Sequence, residues 1–240
     1  MITNDKESEE TIEKIEKPQQ SAELQEMMEA GLHFGHKTSK THPKMKKYIS
    51  GMRNTIHLID IVKTKEKLDE ALAYIKELKA EKKVVLLIGT KIQISPFVKE
   101  VGDKLSVPYV SQRWIGGTLT NFETIKKRSE YLKEMEKKRE EGELEKYTKK
   151  EQLEFDREIT KLEMKFGGIK NMEKIPDAIF VFDVDENGIA VREAKKMGIP
   201  IIGIVDTNIN PEDITYPIPA NDDAVSAVKY IVDKVAEALR

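Results

Sequence analysis

The 240-residue chain has no cysteine. Disulfides, thiolate nucleophiles and cysteine-based metal centres are therefore excluded, and a reducing compartment suits the chain. No apolar run is long enough to span a bilayer. The opening "MITNDKESEE" is acidic and lacks the apolar core of a secretion signal, so a cytoplasmic location is expected. Excess charge of one sign is also lacking. The net charge is -2, and the total carries no message about nucleic acid. The phosphate-loop spacing GxxxxGK[ST], the dinucleotide fingerprint GxGxxG and the zinc-protease HExxH are all missing.

The distribution of charge is uneven. Residues 1–30 hold three lysines against nine acids. The stretch 31–59 holds Lys37, Lys40, Lys44, Lys46, Lys47 and Arg53 and no acid at all. Such a field in a nearly neutral chain is either a polyanion-binding surface or a solvated lysine-rich loop.

Residues 1–20 read as a disordered acidic tail without period. "SAELQEMMEAG" reads as a short helix capped by Ser21 and stopped by Gly31. Leu68, Leu72, Ile75 and Leu78 stripe a helix over about 62–80. "KKVVLLIGT", "SVPYVSQ", "PDAIFVFDVDEN" and "IIGIVDTN" read as strands, and "PEDITYPIPAND" as a proline-rich loop. A terminal helix turns Val225, Val228, Ile231, Val232 and Val235 inward. This alternation predicts an α/β fold with a mostly parallel sheet covered on both faces. Glu123 to Lys165 holds thirteen basic and thirteen acidic residues around a thin apolar seam of Phe155, Ile159, Leu162, Phe166 and Ile169. That pattern predicts a helical hairpin, turning at Gly142, inserted over 122–166 into a domain formed by 21–121 and 167–240.

Several motifs admit chemical readings. Asp183, Asp185 and Glu186 at a strand end suit Mg²⁺ binding, acid–base work, or plain capping and loop solvation. His33, His36 and His42 suit a transition metal, local packing or phosphate contact. "RWIGGTLTN" reads as a sharp turn wedged by Trp114, or as a set of backbone amides facing an anion, with Arg113 beside it for stacking or phosphate contact. No catalytic constellation and no cofactor or metal site is expected from these spacings.

The stretches "MMEAGLHFGHKTSKTHPKMKKYISGMRNTIHLIDIVKT", "PYVSQRWIGGTLTNFETIKKR", "KFGGIKNMEKIPDAIFVFDV" and "EAKKMGIPIIGIVDTNINPEDITYPIPANDDAVSAVKY" cover about residues 27–235. Together they resemble the bacterial uS2 family of small-subunit ribosomal proteins. The resemblance implies a structural, non-catalytic part of the 30S subunit that binds 16S rRNA between head and body. It also implies contact with neighbouring ribosomal proteins and support for bS1 recruitment and translation initiation, with no membrane and no small-molecule substrate. For the fold, it implies a Rossmann-like (flavodoxin-like) five-stranded parallel sheet carrying an inserted antiparallel coiled-coil hairpin. Matched by position, Lys37, Lys40, Lys44, Lys46, Lys47 and Arg53 are the implied rRNA contacts, with Arg113 reaching RNA from the hairpin connection. This chain departs from the family at Ser39 and Thr41, where an arginine and a tryptophan are usual. It departs again at Ile92, where a lysine is common, and at Asn187 and Gly188.

Overall fold

The computed structural model describes residues 22–240; the expected tail and the cap at Ser21 lie outside the described residues. A first helix, α1, covers 22–29 and stops before Gly31, whose φ of 83° suits a helix terminator. Three short strands follow: β1 (Phe34–Lys37), β2 (Ile49–Arg53) and β3 (Ile56–Ile59). They form an antiparallel sheet in the order β1-β3-β2. The sequence pattern shows this stretch only as a basic segment, so the small sheet is a new element.

The second sheet holds β4 (Val85–Ile88), β5 (Tyr109–Val110), β6 (Ala178–Val181), β7 (Ile201–Val205) and β8 (Tyr216–Pro219). All its pairings are parallel, in the order β5-β4-β6-β7-β8. Every residue of β4, β6 and β7 is buried, as expected of central strands covered on both faces. β8 corrects the expectation of a proline-rich loop. Pro217 and Pro219 remove two backbone donors, and an edge strand tolerates that because one of its sides has no partner to serve.

Helices cover both faces. On one, α2 (Ile61–Ala80), α3 (Ser95–Leu105) and α7 (Val225–Ala238) bury Leu68, Ile75, Val98, Val228 and Ile231 against Val85, Leu87 and Phe180. On the other, α6 (Gly188–Met197) and the helix pair α4 (Phe122–Glu140) and α5 (Lys149–Phe166) pack against Leu86, Ile88, Ile179 and Val181. Val85 and Leu87 thus face one layer while Leu86 and Ile88 face the other, the two-residue alternation of a strand. Ile125, Leu132, Met135, Ile159 and Phe166 continue the second cluster into the helix pair. Gly142 makes the turn between these helices at φ 73°. Thr148 and Glu151 form a reciprocal capping box that starts α5. No helix among the described residues is long and apolar enough to cross a membrane.

Candidate nucleic-acid interface

The basic segment is displayed by its own local structure. Residues Pro43–Tyr48 form a 3₁₀ turn, whose period of three brings Met45 and Tyr48 to one side. Both are buried, and Lys44, Lys46 and Lys47 therefore point to solvent. Pro43 at the first position and the His42 ring, which accepts the Lys44 amide at 3.3 Å, start the turn. That is a capping role for His42. Asn54 and Thr55, at φ 48° and 64°, close the β2–β3 hairpin in two residues, with Arg53 paired to Ile56 at its mouth. Lys37 ends β1 and Lys40 lies in the next 3₁₀ turn.

All six cations are exposed. Lys44 pairs with Glu212, and the Lys47 ammonium lies 4.9 Å from the centre of the Tyr48 ring. Lys40 acts on Asp223 only through its field. Among the described residues, the side chains of Lys37, Lys46 and Arg53 make no hydrogen bond or ion pair. Arg113 is also exposed, but it follows β5, at the opposite end of the strand order from β8. The structure brings six of the seven cations expected from the sequence into one unit and leaves Arg113 apart.

The unit is fixed to the carboxyl ends of β7 and β8. The His36 amide donates to Thr207 Oγ1 at 2.9 Å, and the His42 amide donates to the Thr207 carbonyl at 2.8 Å. Asn221 donates its backbone amide to the Leu32 carbonyl at 3.1 Å. Gly35 permits this approach, since a Cβ there would stand 2.6 Å from Thr207 Cγ2.

Carboxyl ends of parallel strands are the usual ligand crevice, above all where the strand order reverses. Here that reversal lies between β4 and β6, and Lys91 and Asp183 close it at 3.5 Å. Lys91 also meets Asp222 at 3.3 Å and Asp223 at 2.9 Å. Burial opposes its charge, but the surrounding aspartates outweigh this and raise its pKa. Asp222 is pushed up to about 7 by burial and by the neighbouring Asp206. His36 Nδ1 lies 3.1 Å from Asp206, a contact that raises the imidazole above its ordinary value. Four aspartates around one lysine repel a phosphate, so the crevice does not suit a nucleotide. Asp183 is fully buried while Asp185 is exposed, so the paired-carboxylate Mg²⁺ reading of "DVDEN" fails on geometry. The strand ends at Val181, before either residue.

The loop "RWIGGTLTN" does face an anion, and the anion belongs to the protein. Glu193 on α6 accepts the amides of Gly117, Leu119 and Thr120 at 2.7, 3.0 and 3.2 Å. It also accepts the Trp114 indole N–H at 3.2 Å. Sequence reasoning does not single out Glu193, which sits in "VREAKK" among residues typical of a solvated helix face.

The family described as Ribosomal protein S2 matches residues 27–240. Over 216 residues the chain is 46% identical to the small ribosomal subunit protein uS2 of Coprothermobacter proteolyticus, covering 90% of this chain and 81% of that protein. The match begins at Met27, a fully buried residue of α1, and takes in the basic sheet, the parallel sheet and the helix pair. An α/β body with a phosphate-repelling crevice and a separate array of exposed lysines belongs, on this likeness, to the ribosomal protein S2 family.

Proposed function

We propose that the small antiparallel sheet holds the sugar–phosphate backbone of 16S rRNA. As a member of the ribosomal protein S2 family, the chain is a structural constituent of the small ribosomal subunit in the cytoplasm and not an enzyme. Proteins of the family bind 16S rRNA and other ribosomal proteins. The observation that carries the residue-level reading is the acid-free array of six exposed cations, of which Lys44 alone pairs with a carboxylate of the described residues. Lysines suit backbone contacts because such contacts position a protein without reading bases. Duplex rRNA is recognised mainly by shape and phosphate, so the shortage of aromatic residues is no obstacle.

On this reading Lys37, Lys40, Lys44, Lys46, Lys47 and Arg53 form one contact surface, and Arg113 makes a separate contact near the base of the helix pair. The strand order, 2-1-3-4-5 when the parallel strands are renumbered from β4, supports a Rossmann-like, flavodoxin-like description of the body. The apolar seam of α4 and α5 supports an antiparallel coiled-coil insertion over 122–166 in a domain of 21–121 and 167–240. Placement between head and body, with support for bS1 recruitment, completes the proposal.

The test is the triple variant K37E/K46E/K47E in small-subunit reconstitution, with occupancy in gradient-purified particles read by quantitative mass spectrometry. The expected result is a folded chain by circular dichroism and a large loss of occupancy. Each lost phosphate contact should also flatten the salt dependence of rRNA binding by about 0.7–0.9 in log–log slope. Occupancy equal to the unaltered chain would end the reading.

A further inference from the structure

We propose that the basic sheet carries a pocket for one unstacked nucleotide of the RNA it meets, with a base that bears an amino group. This rests on the reading of that sheet as an RNA-contact surface and adds a base contact to its phosphate contacts. Beside the sheet lies an open groove of about 510 Å³, inside the range of roughly 300–1,000 Å³ usual for small-ligand sites. Its lining follows from the 3₁₀ turn. The period of three that turns Met45 and Tyr48 inward places Pro43, Lys46 and the following Ile49 on a neighbouring face, and all three line the groove. Thr41 joins them from the segment before the turn, and β2 and β3 add Ser50 and His57.

These residues match the two ends of a nucleotide. No carboxylate lines the groove, and the Lys46 ammonium is exposed and left for a phosphate. Pro43 and Ile49 offer apolar surface and the His57 imidazole a flat one, the kinds of surface that hold an unstacked base. Thr41 Oγ1 donates to the Thr38 carbonyl at 3.1 Å, and Ser50 Oγ donates to the Leu58 carbonyl at 3.2 Å. Each hydroxyl proton is thus engaged, and the two oxygens remain as acceptors. Acceptors suit the amino group of adenine, cytosine or guanine, and uracil has none. His57 Nδ1 is buried and meets no hydrogen-bond partner, the condition of a polar atom that a ligand completes.

The form of the RNA follows. A continuous duplex keeps its bases stacked and paired, so the groove selects a bulged or looped nucleotide. A protein side chain would fill only the apolar part, whereas the acid-free stretch 31–59 favours a polyanion.

The experiment measures binding of the purified full chain to labelled RNA hairpins by fluorescence anisotropy. The stem is continuous, or carries one bulged adenosine, one bulged uridine or one bulged abasic ribose. The adenosine bulge should bind at least about fivefold more tightly than the continuous stem, the low end for one stacked base. The abasic bulge should lose that gain, and the uridine bulge should bind more weakly than the adenosine bulge. Thr41→Trp puts an indole into the groove. Gly51→Leu narrows it from a position where a Cβ meets nothing within 4 Å. Each should bring the ratio of bulged to continuous affinity close to unity; the ratio is taken within each variant, so altered phosphate contacts cancel. Should Thr41→Trp fail to fold, Gly51→Leu carries the comparison alone. Adenosine monophosphate at a concentration equal to the RNA should displace nothing; displacement would assign the groove to a free nucleotide and overturn the proposal. Equal affinity for adenosine and uridine bulges would overturn the amino-bearing base. Equal affinity for bulged and continuous stems would leave the groove to a protein side chain and overturn this inference alone, with the phosphate reading intact. Failure of every stem to bind would overturn the phosphate reading and this inference with it.

Discussion

Glu193 and Trp114 meet across 79 residues of sequence, the carboxylate accepting the indole N–H at 3.2 Å inside a closed turn. The same side chain takes three backbone amides and the Thr120 hydroxyl, so one carboxylate organises the connection between β5 and α4. Burial works against its charge, but the donors prevail and hold it below the ordinary carboxylate range.

Removing that carboxylate strands several donors in a buried site. Glu193→Ala should destabilise the chain by about 3 kcal/mol, the order found when a buried charged partner is deleted. Glu193→Gln keeps the shape and some of the bonds and should cost about half as much. Chemical denaturation checks both, and a cost for Glu193→Ala below ~1 kcal/mol would contradict this account.

The same carboxylate makes a pH prediction. Its pKa is depressed on folding, so its stabilisation is fully present above the ordinary value of 4.5 and is lost as pH falls through the lower folded value. Trp114 is the one tryptophan and is 6% exposed, which makes it a native reporter. Its fluorescence should stay unchanged on acidification to about pH 4.5 and shift toward the solvent-exposed spectrum below it. In Glu193→Gln the component due to this group should vanish, whatever transition the other carboxylates cause.

How much of this is legible in the sequence differs from element to element. The buried strands β4, β6 and β7 announce themselves as continuous apolar runs, because both of their faces are covered. β8 does not, since its prolines imitate a loop and are tolerated only through its edge position. The small sheet escapes notice because its strands are four or five residues long and mostly solvent-facing, with no alternation to read. The cationic residues are visible as composition, yet their display depends on Met45 and Tyr48 turning inward together. Glu193 carries no signal at all: a glutamate between arginine and lysine on a helix reads as solvated until the facing loop is known. Asp206 and Asp222 read as acids at loop positions. Their grouping with His36 depends on strands β7 and β8 lying side by side under β1, which no local pattern encodes.

The approach of β1 to Thr207 rests on Gly35. A methyl group there would stand 2.6 Å from Thr207 Cγ2 and 3.0 Å from its hydroxyl, closer than carbon atoms pack. Gly35→Ala should therefore cost about 1–3 kcal/mol and push the small sheet outward. Hydrogen exchange should accelerate at the His36 and His42 amides, which donate to Thr207, while the buried amides of β6 keep their protection. Uniform acceleration throughout the chain would argue against a local effect.

Glu212 offers a test that gains binding instead of losing it. It pairs with Lys44, and both partners are about half exposed at 48% and 54%. A pair so open to solvent adds little to folding, so Glu212→Gln should leave the melting temperature essentially unchanged. For a polyanion, however, Glu212 is a repulsive neighbour and a competitor for the Lys44 ammonium. Freeing that ammonium should strengthen binding to 16S rRNA fragments and steepen the log–log salt slope by about 0.7–0.9, one further phosphate contact. Filter binding across a salt series measures both quantities. Unchanged affinity and slope would mean that Lys44 faces away from the RNA, and would restrict the contact surface to Lys37, Lys40, Lys46, Lys47 and Arg53.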